Sequence, residues 1–68
     1  MSEQEAKIIF ALARNQLSIS RAANDLTYHR NTIFYHVKKI RKKTGLDPLD
    51  FYDMVNLIPM AQEVTHDV

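Results

Sequence analysis

The 68-residue sequence predicts a single all-α domain of four helices. Its apolar residues, 46% of the chain, recur at the spacings of three and four residues that place side chains on one face of a helix. The one Gly and two Pro stand where helices are expected to begin or end. The chain has no Cys, so no disulfide or cysteine-based zinc site can stabilise so small a core. Stability must therefore come from helix packing or from association with a second copy.

The first helix is predicted from about residue 3 to residue 16. Ser2-Glu3-Gln4-Glu5 is a capping-box sequence, in which the Ser2 hydroxyl and the Glu5 carboxylate each accept a hydrogen bond from a backbone N–H at the helix start. An apolar stripe follows at helical spacing, formed by Ala6, Ile9, Phe10, Ala13 and Leu17. Ile8 and Leu12 widen this stripe, which predicts a helix buried on two faces.

A short second helix is predicted over residues 21–26. Either Ser18 or Ser20 is able to cap it, and Ser20 is favoured because the apolar Ile19 then precedes the cap and packs onto the first turn. The inner side of this helix is formed by Ala22, Ala23 and Leu26. Two adjacent alanines allow another helix to approach closely.

The third helix, predicted over residues 30–44, carries most of the positive charge. Its apolar side is formed by Ile33, Val37, Ile40 and Thr44, and Gly45 stands where a left-handed residue would end the helix. Residues 28–43 hold six Lys or Arg and no acid, whereas residues 44–68 hold five acids and no Lys or Arg. The net charge is only +1, but its distribution predicts an anionic partner for the third helix.

A fourth helix is predicted to begin with Asp47 as its cap and Pro48 in its first turn, and to end or kink at Pro59. Between these points the sequence is apolar nearly all round. A monomer of this size can hardly cover so many apolar faces, which predicts a homodimer. Its expected interface consists of Phe51, Tyr52, Met54, Val55 and Ile58. Residues 61–68 are predicted to be a frayed tail after a domain spanning residues 1–60.

The order of these elements is typical of a helix-turn-helix. A short helix with adjacent alanines is followed by a turn of about three residues and a longer basic helix. The apolar side of the third helix would dock on the first two helices, and its other side would enter a major groove, which is wide enough to admit a helix. The residues that fall outside the docked side include Asn31, Phe34, Tyr35, Lys38 and Arg41 or Lys42.

Residues 26–47, LTYHRNTIFYHVKKIRKKTGLD, resemble the C-terminal helix-turn-helix domain of PucR-type transcriptional regulators. The resemblance rests on the His29-Arg30-Asn31-Thr32 run, on Tyr35, on the apolar positions of the third helix, and on Thr44-Gly45-Leu46-Asp47. Ser20-Arg21-Ala22-Ala23, together with Arg30 and Thr32, is similar to the DNA-binding end of Fis-type nucleoid proteins. The resemblance extends over about residues 5–58.

The resemblance implies that the partner is double-stranded DNA and that the protein is a small transcriptional regulator. Positions that contact DNA in such domains are occupied here by Arg30, Thr32, Tyr35 and His36, and positions near the DNA backbone by Ser18 and Ser20. With the neighbouring polar and basic residues, the predicted DNA-binding set is Ser18, Ser20, His29, Arg30, Asn31, Thr32, Tyr35, His36, Lys38, Lys39, Arg41 and Lys42.

Three residues depart from the family pattern. Phe34 and His36 stand where the families more often carry basic side chains, which changes the expected base preference. Phe34 has two interpretations, either a contact with a thymine methyl group or part of a self-association surface. Lys43 stands where an apolar residue is common, which predicts a modified contact beneath the third helix.

Two other functions fit the same residues. One is a protein-interaction module that docks through the apolar first and fourth helices, and the other is a Fis-like architectural DNA binder with low sequence specificity. Catalysis is not expected, because no nucleophile, base and acid occur in a recognisable order, and no cofactor is predicted. His29 and His36 offer two imidazoles and no third ligand, so no metal site is predicted.

A cytoplasmic location is expected, with no membrane partner. The longest apolar run, residues 8–13, has six residues, far short of the roughly 18 to 20 that a membrane span requires. The N-terminal sequence MSEQEAK is acidic and polar, whereas a secretory signal begins with basic residues and continues with an apolar stretch.

Overall fold

The computed structural model describes residues 1–65, which form four α-helices joined by short connections. Helix α1 spans Glu3–Arg14, α2 spans Ile19–Leu26, α3 spans Arg30–Thr44 and α4 spans Phe51–Thr65. This part of the chain contains no strand, which confirms the predicted all-α fold. Its principal dimensions are 25 × 24 × 19 Å.

Helix α1 is at the centre of the packing, because it contacts each of the other three helices. Its most extensive contact is with α4, and α2 packs against both α1 and α3. Helix α1 is buried on two faces, as the sequence predicts, although Ala13 of the predicted stripe is exposed. The helices together bury Ala6, Ile8, Ile9, Ala11, Leu12, Ala22, Ala23, Ile33, Val37, Ile40, Met54, Leu57 and Ala61.

The favoured cap of α2, Ser20, is wrong, since the alternative Ser18 caps this helix and Ser20 lies in its first turn. The Ser18 hydroxyl accepts a hydrogen bond from the Arg21 N–H at 3.2 Å. Helix α1 ends at Arg14, earlier than predicted, and the next turn of chain is left-handed at Gln16 and Leu17. This turn brings the backbone to an extended conformation at Ser18, where a cap residue is required.

The predicted start of α4 is also wrong. The Asp47 carboxylate accepts a hydrogen bond from the Leu49 N–H at 2.9 Å, which forms a local turn around the buried Pro48. Asp50 then caps the helix by accepting a hydrogen bond from the Asp53 N–H at 3.0 Å. Both carboxylates are able to accept a hydrogen bond from a nearby backbone N–H. Asp47 uses this ability to form a turn, and Asp50 uses it to cap the helix.

Helix α4 does not end at Pro59 but continues to Thr65. A proline leaves the carbonyl four residues earlier without its helical partner, here that of Val55. Both residues are exposed, so water is able to satisfy this carbonyl. Residues 61–65, predicted to be frayed, instead extend the helix because Ala61 is buried in the core. The remainder of the predicted tail, residues 66–68, lies outside the described residues.

An ion pair joins the start of α1 to the end of α3. The Lys43 Nζ atom lies 3.1 Å from Oε2 of Glu5, whose side chain is only 2% exposed. Glu5 also accepts a hydrogen bond from the Ser2 N–H at 2.8 Å, and the Ser2 hydroxyl accepts one from the Glu5 N–H at 3.1 Å. These bonds confirm the predicted capping box. The ion pair between Lys43 and Glu5 is the modified contact predicted beneath α3.

The surroundings of Glu5 favour its charged form. Burial alone would raise the pKa of this carboxyl, but hydrogen bonds from Ser2 and Lys43 and the charge of Lys43 together hold it below its usual value. The folded-state pKa is therefore lower than the unfolded-state pKa of about 4.3. The resulting stability is present above the unfolded-state pKa and is lost as the pH falls through the folded-state pKa.

Replacing Lys43 by Met is expected to lower the free energy of unfolding by about 1–2 kcal/mol at pH 7, because a nearly buried carboxylate loses its cation. The pKa of Glu5 should then rise, so less stability is lost on acidification to pH 3. Urea denaturation at both pH values measures the two effects. Lys42→Met removes the same charge from an exposed neighbour and should change stability by less than about 0.5 kcal/mol. Unchanged pH dependence in Lys43→Met would contradict the assigned contact.

Candidate nucleic-acid interface

Helix α2, the turn over residues 27–29 and helix α3 form a helix-turn-helix. The adjacent Ala22 and Ala23 are buried, as predicted, and α2 packs on α3. Three side chains of α3 enter the core, namely Ile33, Val37 and Ile40. Helix α3 ends at Gly45, whose left-handed backbone has φ 76°, again as predicted. The opposite side of α3 is therefore free to contact a partner.

The turn between α2 and α3 is closed by a residue in an unfavourable conformation. Thr27 has φ 59° and ψ 40°, and the following N–H, of Tyr28, donates to the Ala23 carbonyl at 2.8 Å. A left-handed backbone costs a non-glycine residue roughly 1–2 kcal/mol, and β-branched residues rarely adopt it. The orientation of α3 therefore depends on a strained threonine where a glycine would meet no strain.

His29 caps the N-terminus of α3. Its Nδ1 atom accepts a hydrogen bond from the Asn31 N–H at 3.1 Å. The side chains of Arg30 and Asn31, which follow this cap, are both exposed. The first turn of α3 therefore presents a guanidinium and an amide beside the positive end of the helix dipole.

Most of the predicted DNA-binding side chains belong to the solvent-exposed surface of α2, α3 and the turn between them. Those that are exposed are Ser20, His29, Arg30, Asn31, Tyr35, Lys38, Lys39, Arg41 and Lys42. Ser18, Thr32 and His36 are only partly buried, and the Ser18 hydroxyl already accepts the capping bond of α2. The structure therefore places the basic residues of α3 and the first turns of α2 and α3 where a large anionic partner has access to them.

Two lysines of this surface lie over aromatic rings one turn earlier in α3. The Lys38 Nζ atom is 5.2 Å from the centroid of the Phe34 ring, and that of Lys39 is 5.7 Å from the Tyr35 ring. At exposed sites such contacts contribute about 0.5–1 kcal/mol. They orient the ammonium groups without neutralising their charge, so both cations remain available to an anion.

Arg41 is held differently from these lysines. Its Nη2 atom lies 3.1 Å from Oδ1 of Asp47. The hydrogen bond from the Leu49 N–H and the nearby Arg41 charge outweigh burial and hold the pKa of Asp47 below its usual value. Asp47 is therefore ionised near neutral pH and offsets part of the Arg41 charge. Arg41 consequently has less free charge to offer an anion than Lys38, Lys39 or Lys42.

His36 differs from the exposed members of the predicted set. Its Nδ1 atom is buried and makes no hydrogen bond within the described part of the chain. Its ring packs edge-on against Tyr35, with the ring centroids 5.1 Å apart. His36 therefore supports the position of Tyr35 and presents less of its own polar surface.

The predicted dimer-interface residues divide between surface and core. Phe51, Tyr52 and Val55 are 65%, 78% and 55% exposed, and Ile58 is partly buried. The assignment of Met54 to the interface surface is corrected, because this side chain is 2% exposed and belongs to the hydrophobic core. A groove of about 390 Å³ between α4 and the end of α1 is lined by Ala13, Gln16, Leu17, Phe51, Met54, Val55 and Ile58.

Two further properties bear on the kind of site. Within residues 1–65, no three His, Asp or Glu side chains come close enough together to hold a metal ion. No helix in the same residues has the length and apolar character needed to cross a membrane.

Comparison with protein families identifies the helix-turn-helix. The model of the PucR C-terminal helix-turn-helix domain matches residues 6–58, so the chain belongs to this family. The family resemblance noted from the sequence is thereby confirmed. No curated protein and no solved structure matches the chain. Helix-turn-helix domains are a class that places its second helix in the major groove of DNA, and family membership implies a DNA-binding regulator.

The predicted set omits two residues that border the same surface. Ile19, the first residue of α2, and Phe34 line a hollow of about 230 Å³ together with Arg30 and Asn31. A cap at Ser20 predicts that Ile19 precedes the helix. The equally good capping position of Ser18 is the sequence signal that would have placed Ile19 in the first turn.

Replacing Thr27 by Gly should raise the free energy of unfolding by about 0.5–1 kcal/mol, since relief of the left-handed backbone outweighs the greater entropy of the unfolded chain. Thr27→Ala retains the Cβ atom and should stay within about 0.5 kcal/mol of the parent protein. The midpoints of urea denaturation measure both changes. A less stable Thr27→Gly protein would show that the threonine side chain makes a stabilising contribution of its own.

Proposed function

We propose that this protein binds double-stranded DNA in a sequence-specific manner and acts as a small transcriptional regulator. Family membership supports the class of function. The observation that carries the proposal is the charge of α3, which has six Lys or Arg residues and no acid over its whole length. One of these cations, Lys43, pairs with Glu5. The other five lie away from the buried side of α3, on the sides that a major groove would enclose.

The residues of the interface have different proposed roles. Arg30 and Asn31, in the first turn of α3, reach base edges, where an arginine pairs well with guanine and an asparagine with adenine. Tyr35 follows one turn later, and Thr32 and His36 support that turn. Lys38, Lys39 and Lys42 contact phosphates, with a smaller contribution from Arg41. The DNA backbone lies beside the N–H groups near Ser18 and Ser20 and beside the capping His29. These contacts position the domain on the DNA.

A homodimer is part of the proposal. Phe51, Tyr52 and Val55 are exposed beside an apolar groove, so one patch contains both projecting rings and a recess. A two-fold interface requires this self-complementarity, because the same surface must serve both copies. Of the exposed residues of α4, only Glu63 is charged, so two copies of the helix would approach without strong repulsion. The dimer would bind a two-fold symmetric site in chromosomal DNA in the cytoplasm. The proposal assigns no enzymatic step to the protein.

Selection of bound duplexes from a random-sequence pool at near-physiological salt tests the DNA-binding function. We expect enrichment of a two-fold symmetric motif with half-sites about one helical turn apart. If each protomer neutralises four or five phosphates, the slope of log affinity against log salt should be about −4 per protomer.

Arg30→Ala should weaken DNA binding by about 1–3 kcal/mol, whereas Lys7→Ala removes the same charge from α1 and should have little effect on DNA binding.

Other outcomes of this selection would point to the other functions. Uniform recovery of all duplexes would contradict sequence specificity and favour an architectural DNA binder. No recovery of any duplex would contradict DNA binding and favour a protein-interaction module.

Sedimentation equilibrium tests the proposed dimer. Phe51→Asp places a charge on the exposed patch and should raise the dimer dissociation constant by about 30-fold, the effect of losing a central interface contact worth about 2 kcal/mol. Asn56→Asp adds the same charge to another side of α4 and should leave the dimer intact. A parent protein that remains monomeric at high concentration would rule out the dimer.

A further inference from the structure

A hollow of about 230 Å³ lies between the N-terminal ends of α2 and α3. Ile19 and Phe34 give it two apolar walls, and Arg30 and Asn31 give it two polar ones. Arg30 and Asn31 are the residues assigned to base edges above. An apolar recess thus lies beside the polar groups that would reach into the groove.

The Phe34 ring has no part in the hydrophobic core. It is 47% exposed, while the buried side of α3 is already filled by Ile33, Val37 and Ile40. The ammonium group of Lys38 lies 5.2 Å from the ring centroid, so a cation that would contact phosphate borders the same side chain. An exposed aromatic ring between Arg30 and Lys38, both cationic, is suited to an anionic partner that also has an apolar group.

In the major groove, the distinctive apolar group on a base edge is the C5-methyl of thymine. We infer that Phe34 and Ile19 form a recess for a thymine methyl group, so that Phe34 determines specificity for an A·T pair beside the bases contacted by Arg30 and Asn31. This inference rests on the proposed DNA binding. It assigns base recognition to a position where the family pattern more often has a basic residue.

The polar walls of the hollow favour this occupant over a second copy of the chain. A protein surface packed against Phe34 would also cover Arg30 and Asn31, and their guanidinium and amide groups would lose water without a matching partner. A base pair supplies hydrogen-bond acceptors for both groups beside the methyl group. The groove beside α4, lined by six apolar residues and Gln16, is the better surface for self-association.

Substitution of thymine by deoxyuridine removes only the methyl group and therefore tests this recess directly. In the selected duplex, we expect deoxyuridine at one thymine of each half-site to weaken binding by the parent protein about fourfold per methyl group. For Phe34→Ala the ratio of affinities for the two duplexes should fall to about one. Phe34→Leu keeps an apolar wall and should retain part of the difference. Tyr35→Ala, which changes the adjacent exposed ring, should bind more weakly overall but keep the difference.

The outcomes separate this inference from the proposed function. Equal binding of thymine and deoxyuridine duplexes by the parent protein would overturn the recess while leaving sequence-specific binding in place. An undiminished difference in Phe34→Ala, or a loss of dimer in that variant, would also overturn it. Failure to bind any duplex would overturn the proposed function and this inference together. Circular dichroism and sedimentation of each variant verify that fold and oligomeric state are retained.

Discussion

Burial of α1 on two faces is the constraint on which the rest of the structure depends. A chain of 68 residues without Cys has no disulfide to stabilise it, and α1 is the one of the four helices in contact with all the others. Polar contacts at both ends of α1 reinforce this arrangement. Lys43 pairs with Glu5 at the start, and Asp25 accepts hydrogen bonds from Arg14 and Asn15 at the end. The positions of α2 and α3 therefore follow from the packing of both helices against α1.

The same constraint separates the basic surface from the core. Helix α3 contributes only three buried side chains, all on one side, so its cations are left in solvent. Lys43 is the exception, because its charge is used to close the fold against Glu5 rather than offered to a partner. The domain also retains features that cost stability, such as the left-handed Thr27 and the exposed Phe34 and Phe51 rings. Such costs are expected to concentrate where a protein meets its partners.

The features predicted correctly from the sequence are those that depend on neighbours within a few residues. The bounds of α3, its end at Gly45 and the Ser2–Glu5 capping box all follow from local hydrogen bonding and helical periodicity. The errors occur where two local signals are nearly equal. Ser18 and Ser20 are both good caps, and Asp47 and Asp50 both precede helical sequence. In each case the path of the chain into the core decides which one begins the helix.

The sequence by itself determined the fold class, the order of the helices and the segregation of positive charge onto α3, because these properties follow from residue types and their spacing. Tertiary structure alone decided the partner of Lys43, since Glu5 is 38 positions away along the chain. It likewise placed Met54 inside rather than on the surface, and brought Ile19 beside Phe34. Contacts between separate helices depend on their relative orientation, which local periodicity does not specify.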